Sequence, residues 1–196
     1  MATGSIKLTM NNRPVFLIGY MGSGKSSLGR QLAREMQREF IDLDKYIETR
    51  FHSTVRQIFE KDGEAGFRSI ESNMIHEVAE FQNVIVACGG GTPCYFDNMD
   101  FMLSHGLTIY LNVPPEILAL RLALPGSRAK RPLIADKSDE ELIDFVKEGL
   151  AKRIAQYSRA EIIFNASHLK DKSETIKTAL QLIDIIRRHE NNDSTY

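Results

Sequence analysis

Residues 19–26 read Gly-Tyr-Met-Gly-Ser-Gly-Lys-Ser, and this octapeptide restricts the fold more than any other feature of the chain. It fits the pattern G-x-x-x-x-G-K-[ST]. An apolar run, residues 15–19 (VFLIG), precedes it, and Leu28, Leu32 and Met36 follow at helical spacing within residues 25–38. In the order strand, glycine loop, helix, such a segment cradles phosphate: the glycines let the backbone curl so that its N–H groups point inward. The helix N-terminus adds partial positive charge. Lys25 is placed to reach β- and γ-phosphates and Ser26 to offer its hydroxyl to Mg²⁺. With every fixed position filled, a plain glycine turn capping a helix is the weaker reading.

The rest of the chain supplies the partners such a strand needs. Residues 40–43, 84–88, 107–113 and 162–164 are short apolar runs expected to be strands. Residues 45–50, 55–61, 66–80, 115–124, 138–157 and 173–188 carry helical patterns. Pro115 suits a first helical turn, and Ser138 with Glu141 forms a capping box. Strands alternating with helices make an α/β fold with a parallel sheet, and right-handed crossovers place helices on both of its faces. Ligands of such folds gather at the carboxyl ends of the strands, where both glycine clusters, 19–24 and 89–91, fall. Residues 45–82 hold more helix than one crossover needs and read as an inserted helical region. Residues 125–137 (PGSRAKRPLIADK) show little periodicity and read as a mobile loop.

A chain of 196 residues favours one domain. It is expected over residues 13–189, after a flexible polar lead-in (1–12) without the apolar stretch of a signal peptide, and before a polar tail (190–196). With 25 basic and 26 acidic residues the net charge is −1, which argues against a general nucleic-acid or polybasic membrane binder. No apolar run approaches a bilayer-spanning length. Two cysteines, Cys88 and Cys94, make no disulfide framework and fit a reducing cytoplasm. The histidines show no metal-ligand spacing.

Four further groups of residues carry chemistry. Asp42 and Asp44, two apart at a strand end, point to one side. One suits Mg²⁺ through water and the other a proton from an attacking alcohol; the alternative is a solvated strand end with Asp44 as a helix cap. Arg68 and Glu71 are three apart on a helix. They form either an exposed ion pair of little worth or a pair that orients a guanidinium toward a carboxylate. Gly89-Gly90-Gly91 permits close backbone approach to a ligand. Arg128, Lys130 and Arg131 are either a solvated basic loop or a lid that neutralises phosphate charge. By pattern alone Arg153 is a surface cation and Tyr157 a half-buried aromatic, and Arg121 lies either against an adenine ring or in solvent.

In order along the chain, GYMGSGKSS (19–27), DLD (42–44), FRSIE (67–71), CGGGTP (88–93), KRPLI (130–134) and KRIAQY (152–157) resemble the motifs of the shikimate kinase family over roughly residues 13–187. The resemblance implies a P-loop NTPase fold like that of nucleoside monophosphate kinases: three layers, with a five-stranded parallel sheet, a substrate-binding insertion (45–82) and a lid (125–137). It implies ATP-dependent phosphorylation of shikimate at the 3-hydroxyl, a step toward chorismate and the aromatic amino acids. Gly22, Ser23, Gly24, Lys25, Ser26, Ser27, Arg121 and Arg131 would bind nucleotide, with Arg121 on adenine and Arg131 on the phosphates. Ser26 and Asp42 would hold Mg²⁺. Asp44 would be the base, with Lys25 and Arg131 catalytic beside it. Arg68 and Arg153 would clamp the shikimate carboxylate, Glu71 would fix Arg68, Gly90 and Gly91 would give backbone contacts, and Phe59 and Phe67 would line the ring pocket. Small size leans toward a monomer. The competing readings are another small-molecule P-loop kinase, acting on gluconate or a nucleotide, and a kinase-like binding protein without turnover.

Overall fold

The computed structural model describes residues 12–128, 131–169 and 171–193. Most of the expected polar lead-in, Lys130 of the expected lid and the last three residues lie outside them. Five strands form one sheet in the order β2-β3-β1-β4-β5, every adjacent pair parallel. They are β1 (Val15–Ile18), β2 (Glu39–Asp42), β3 (Val84–Ala87), β4 (Leu107–Asn112) and β5 (Ile162–Asn165). Residues of β1 and β3 are buried throughout, as expected of central strands covered on both faces. The chain order reverses across β1, which lies between β3 and β4, so the crevice outside its carboxyl end is the natural ligand site.

Helices pack around the sheet: α1 (Lys25–Met36), α2 (Leu43–Phe51), α3 (Val55–Ala79), α4 (Asn98–His105), α5 (Pro115–Ala123), α6 (Pro125–Arg128), α7 (Asp139–Ala151), α8 (Ile154–Tyr157) and α9 (Lys172–Asp193). None is long and apolar enough to cross a membrane, among the described residues. The two helices expected at 55–61 and 66–80 are both present within α3, joined at Gly63, whose φ 70° and ψ −176° are not helical. The single helix expected at 138–157 opens at the Ser138–Glu141 capping box but breaks after Ala151, and α8 restarts behind Arg153. Helix α9 runs through His189 to Asp193, so the first part of the expected tail is helical. The loop expected at 125–137 contains α6 and a 3₁₀ turn, Pro132–Ile134. Helix α4 and the preceding 3₁₀ turn, Thr92–Cys94, were not expected.

A backbone hydrogen bond locks the start of β1 to β4. The N–H of Leu107 donates to the carbonyl of Pro14 at 2.9 Å, beginning the β1–β4 pairing. That approach needs a glycine at 106, because a Cβ there would sit 2.4 Å from the Pro14 oxygen and 2.6 Å from the Phe16 ring. Gly106→Ala is therefore expected to cost about 2 kcal/mol, the usual penalty for forcing an extra carbon into a packed core. A urea denaturation midpoint unchanged from wild type would contradict this.

Candidate active site

The loop after β1 turns through positive φ at Gly19 (140°), Gly22 (82°) and Gly24 (100°), which explains the glycines at these places. Lys25 opens α1 and its amine folds back over the loop, donating to the carbonyls of Gly19 (2.7 Å) and Tyr20 (3.0 Å). Burial lowers its pKa to about 8; Asp44 and Asp42 act in the opposite sense and Arg131 adds to the fall. Ser23 is fully buried beneath the loop, and Ser27 faces outward. The Ser26 hydroxyl donates to the Asp42 carboxylate at 2.7 Å. A hydroxyl and a carboxylate meeting beside a phosphate loop are the oxygen donors that Mg²⁺ takes.

Asp42 and Asp44 do not share a strand. Asp42 ends β2 and precedes α2, whereas Asp44 stands in the first turn of α2. The helical turn still brings Asp44 to the same edge, and its Oδ1 lies 3.3 Å from where a Cβ on Gly89 would be. Its side chain is open to the cleft, but protein crowds it on the inner side. That crowding, with the Glu71 and Asp42 carboxylates near, pushes its pKa up to about 6 against the pull of Lys25.

Arg68 and Glu71 are not an exposed pair, since their side chains are only 13% and 1% accessible. Glu71 accepts from Arg68 Nη1 at 2.8 Å and from the Thr92 hydroxyl at 2.6 Å. Gly89 and Gly91 give this pair its room. A Cβ on Gly89 would meet Glu71 Oε1 at 2.7 Å, and one on Gly91 would meet the Arg68 guanidinium at 2.8–2.9 Å. The guanidinium also lies over the rings of Tyr95 (4.2 Å), Phe67 (5.2 Å) and Phe59 (6.0 Å). Phe59 and Phe67 stack at 4.5 Å; Phe67 belongs to the core, so the accessible wall is Phe59. Glu64 accepts from Arg68 Nη2 at 3.3 Å and from the Tyr95 hydroxyl at 2.7 Å.

Arg153 lies across the same edge, its guanidinium 5.1 Å from the Tyr20 ring and its Nη1 3.5 Å from where a Cβ on Gly90 would be. Tyr157 is fully buried rather than half-buried. Arg121 donates to the carbonyls of Gly22 (3.2 Å), Ala166 (2.9 Å) and Ser167 (2.9 Å), so its edges tie the phosphate loop to the loop after β5. Only its flat face is left for an adenine ring. A cleft of about 660 Å³ opens beside it, lined by Gly22, Gly24, Ser27 and Leu169. Arg131 follows α6, donates to the Ser127 carbonyl at 2.9 Å and is close enough to act on the Lys25 charge. Arg128 instead pairs with Asp139 and the Lys137 carbonyl.

Every site residue expected from the sequence thus lies at the carboxyl edge of the sheet or on the segments bordering it. Tyr20, Glu64, Thr92 and Tyr95 join them without having been expected. Tyr20 and Thr92 lie inside quoted motifs, so position was a usable signal for them. Glu64 and Tyr95 gave none, because they lie 31 residues apart and neither belongs to a motif.

A phosphate loop with its lysine, a serine–aspartate oxygen pair and an arginine on the segment after α6, all at the switch point of a parallel sheet, define a P-loop kinase of small molecules. A model of the family described as shikimate kinase matches residues 21–184. A shikimate kinase of Phocaeicola vulgatus is 54% identical over 160 residues, covering 82% of this chain and 90% of its own. Among solved structures, the shikimate kinase of Bacteroides thetaiotaomicron superposes with a TM-score of 0.85 at 47% identity, covering 89% of this chain and 98% of that one. That of Acinetobacter baumannii, in complex with shikimate, superposes with a TM-score of 0.78 at 28% identity, covering 92% and 96%. The chain belongs to the shikimate kinase family.

The Asp44 environment has a consequence for stability. An unfolded Asp titrates near 3.9, about two units below the folded value, so ionised Asp44 opposes folding. The opposition is absent below pH about 4 and complete above about 6. Asp44→Asn is expected to be more stable than wild type at pH 8 by about 1 kcal/mol, a figure reduced because the side chain is open to water. The gain should vanish by pH 4. Denaturant midpoints across pH measure it, and a variant less stable at pH 8 would contradict the assigned environment.

Proposed function

We propose that the protein transfers the γ-phosphoryl group of ATP to the 3-hydroxyl of shikimate, giving shikimate 3-phosphate and ADP on the route to chorismate and the aromatic amino acids. The observation that carries this reading is the convergence of Asp44 and the Glu71-held Arg68 on Gly89–Gly91, beside the phosphate loop. A polyhydroxy acid needs a fixed guanidinium for its carboxylate and a carboxylate for its reacting hydroxyl, and that is the pair presented.

Arg68 and Arg153 clamp the substrate carboxylate, Phe59 covers the ring with Phe67 behind it, and the Gly90 and Gly91 backbone completes the pocket. Asp44, with a pKa near 6, accepts the hydroxyl proton as the oxygen attacks. Lys25 leaves the Gly19 and Tyr20 carbonyls for the phosphates, and Gly22, Ser23, Gly24, Ser26 and Ser27 wrap them. Ser26 would hold Mg²⁺ directly and Asp42 through water, and the bound ion would supply neutralisation of phosphate charge. Arg131 comes down with the lid, residues 125–137, over the transferred group, while the insertion, residues 45–82, closes over the acid. Closure excludes water, and catalysis then rests on positioning and charge neutralisation. Arg121 offers its flat face to adenine. The protein acts as a cytoplasmic monomer.

The direct test is ADP release with ATP, Mg²⁺ and either shikimate, gluconate or a nucleoside monophosphate. Turnover is expected on shikimate alone; turnover on another acceptor, or none, would overturn the reading. Asp44→Asn should lose at least about 100-fold in kcat, the scale of a general base, and keep its ATP affinity. Near-normal kcat would remove Asp44 as the base. In wild type kcat/KM for shikimate should fall as pH drops through about 6, where Asp44 gains its proton. Arg68→Ala should weaken shikimate binding about 100-fold, as loss of a charge-assisted bidentate pair does, and leave ATP binding unchanged. Equal losses for both ligands would contradict its role.

A further inference from the structure

The phenol of Tyr157 is buried in the core, its ring 5.1 Å from that of Tyr110, yet its hydroxyl reaches the site and donates to the Gly90 carbonyl at 2.5 Å. Burial raises its pKa, so the hydroxyl keeps its proton and acts as a donor. The acceptor belongs to the peptide unit between Gly90 and Gly91. In a planar trans peptide the carbonyl and the following N–H point in opposite directions, and no peptide bond among the described residues is cis. Holding the Gly90 oxygen against Tyr157 therefore turns the Gly91 N–H away from it. Two glycines in sequence leave this plane free to rotate unless something pins it.

Gly91 is a buried residue, and its N–H makes no hydrogen bond to any described residue. Buried N–H groups are almost always paired, so an unpaired one at a binding edge marks a place for a ligand acceptor. The Arg68 guanidinium packs directly on Gly91. An anion drawn to Arg68 brings its oxygens to the same place. Tyr157 also shares one helical turn with the second clamp arginine, its N–H donating to the Arg153 carbonyl at 3.1 Å.

We propose that Tyr157 is a positioning residue that pins the Gly90–Gly91 peptide and so aims the Gly91 N–H at the acid substrate. This rests on the reading that shikimate binds here. It assigns the Arg-x-x-x-Tyr segment two linked tasks: Arg153 supplies charge, and Tyr157 orients a neutral donor beside it.

The test is calorimetric titration of shikimate, and separately ADP, into the full chain carrying Tyr157→Phe, with Tyr110→Phe as the control for a lost buried hydroxyl. The Tyr110 hydroxyl bonds only weakly, to Asn112 at 3.3 Å, and makes no hydrogen bond to the glycines, among the described residues. Tyr157→Phe should raise the Kd for shikimate about tenfold, the equivalent of one hydrogen bond, with that for ADP unchanged. Tyr110→Phe should move neither. Unchanged shikimate affinity in Tyr157→Phe would overturn the proposal, and so would parallel losses for shikimate and ADP or an equal effect of Tyr110→Phe. If Tyr157→Phe fails to fold, the amide proton of Gly91 in wild type decides. It should shift downfield on adding shikimate and not on adding ADP, and a static resonance would overturn the proposal. A wild type that binds no shikimate would sink the functional reading and this one together; wild-type binding with an unaffected variant sinks this one alone.

Discussion

A single buried carboxylate organises the substrate side of this site. Glu71 is almost wholly removed from water, and a charge there is tolerable only because Arg68 and Thr92 both donate to it. Through Thr92 the pair is a fixed strut between α3 and the turn after β3. It can exist only if the backbone beside it carries no side chains, which the Gly89–Gly91 segment provides. One face of Arg68 is covered by aromatic rings, so few orientations remain to it. A guanidinium held this way has already lost the freedom that binding would otherwise cost.

The second organising feature is the reversal of strand order at β1. It brings the ends of β1, β2 and β3 side by side, so that Lys25, Asp42 and the three glycines meet although far apart in the chain. The charges at this edge act on each other. Asp44 is raised first by burial and then by Glu71 and Asp42, and lowered by Lys25, while Lys25 is lowered by burial and by Arg131 and raised by Asp44. Burial outweighs their mutual attraction, and it leaves a carboxylate and an amine whose pKa values are drawn toward each other.

What was legible in the sequence was what is set locally. The phosphate loop, the Ser138 cap and the apolar strands depend on neighbours a few residues away, and their boundaries fell within a residue or two. What was not legible depends on remote packing. Arg68 and Glu71 show the same three-residue spacing whether exposed or buried; only the glycines twenty residues on decide which. Asp44 fits a strand end by pattern, but the chain turns helical at Leu43. Helix α4 is short, and its buried face includes the polar Asn98, which donates to the Thr92 carbonyl, so no clean apolar stripe announced it. Tyr157 looked half-buried because its partner, a glycine carbonyl, leaves no trace in a pattern of side chains.

In the proposed site Glu71 acts through Arg68 and not on its own. A double-mutant cycle measures it directly, with shikimate affinity determined calorimetrically for Arg68→Ala, Glu71→Gln and the two combined. If Glu71 serves to hold Arg68, the combined variant binds no more weakly than Arg68→Ala alone, because the strut has nothing left to hold. Losses that add in full would mean that the two residues contribute separately, and would contradict the account.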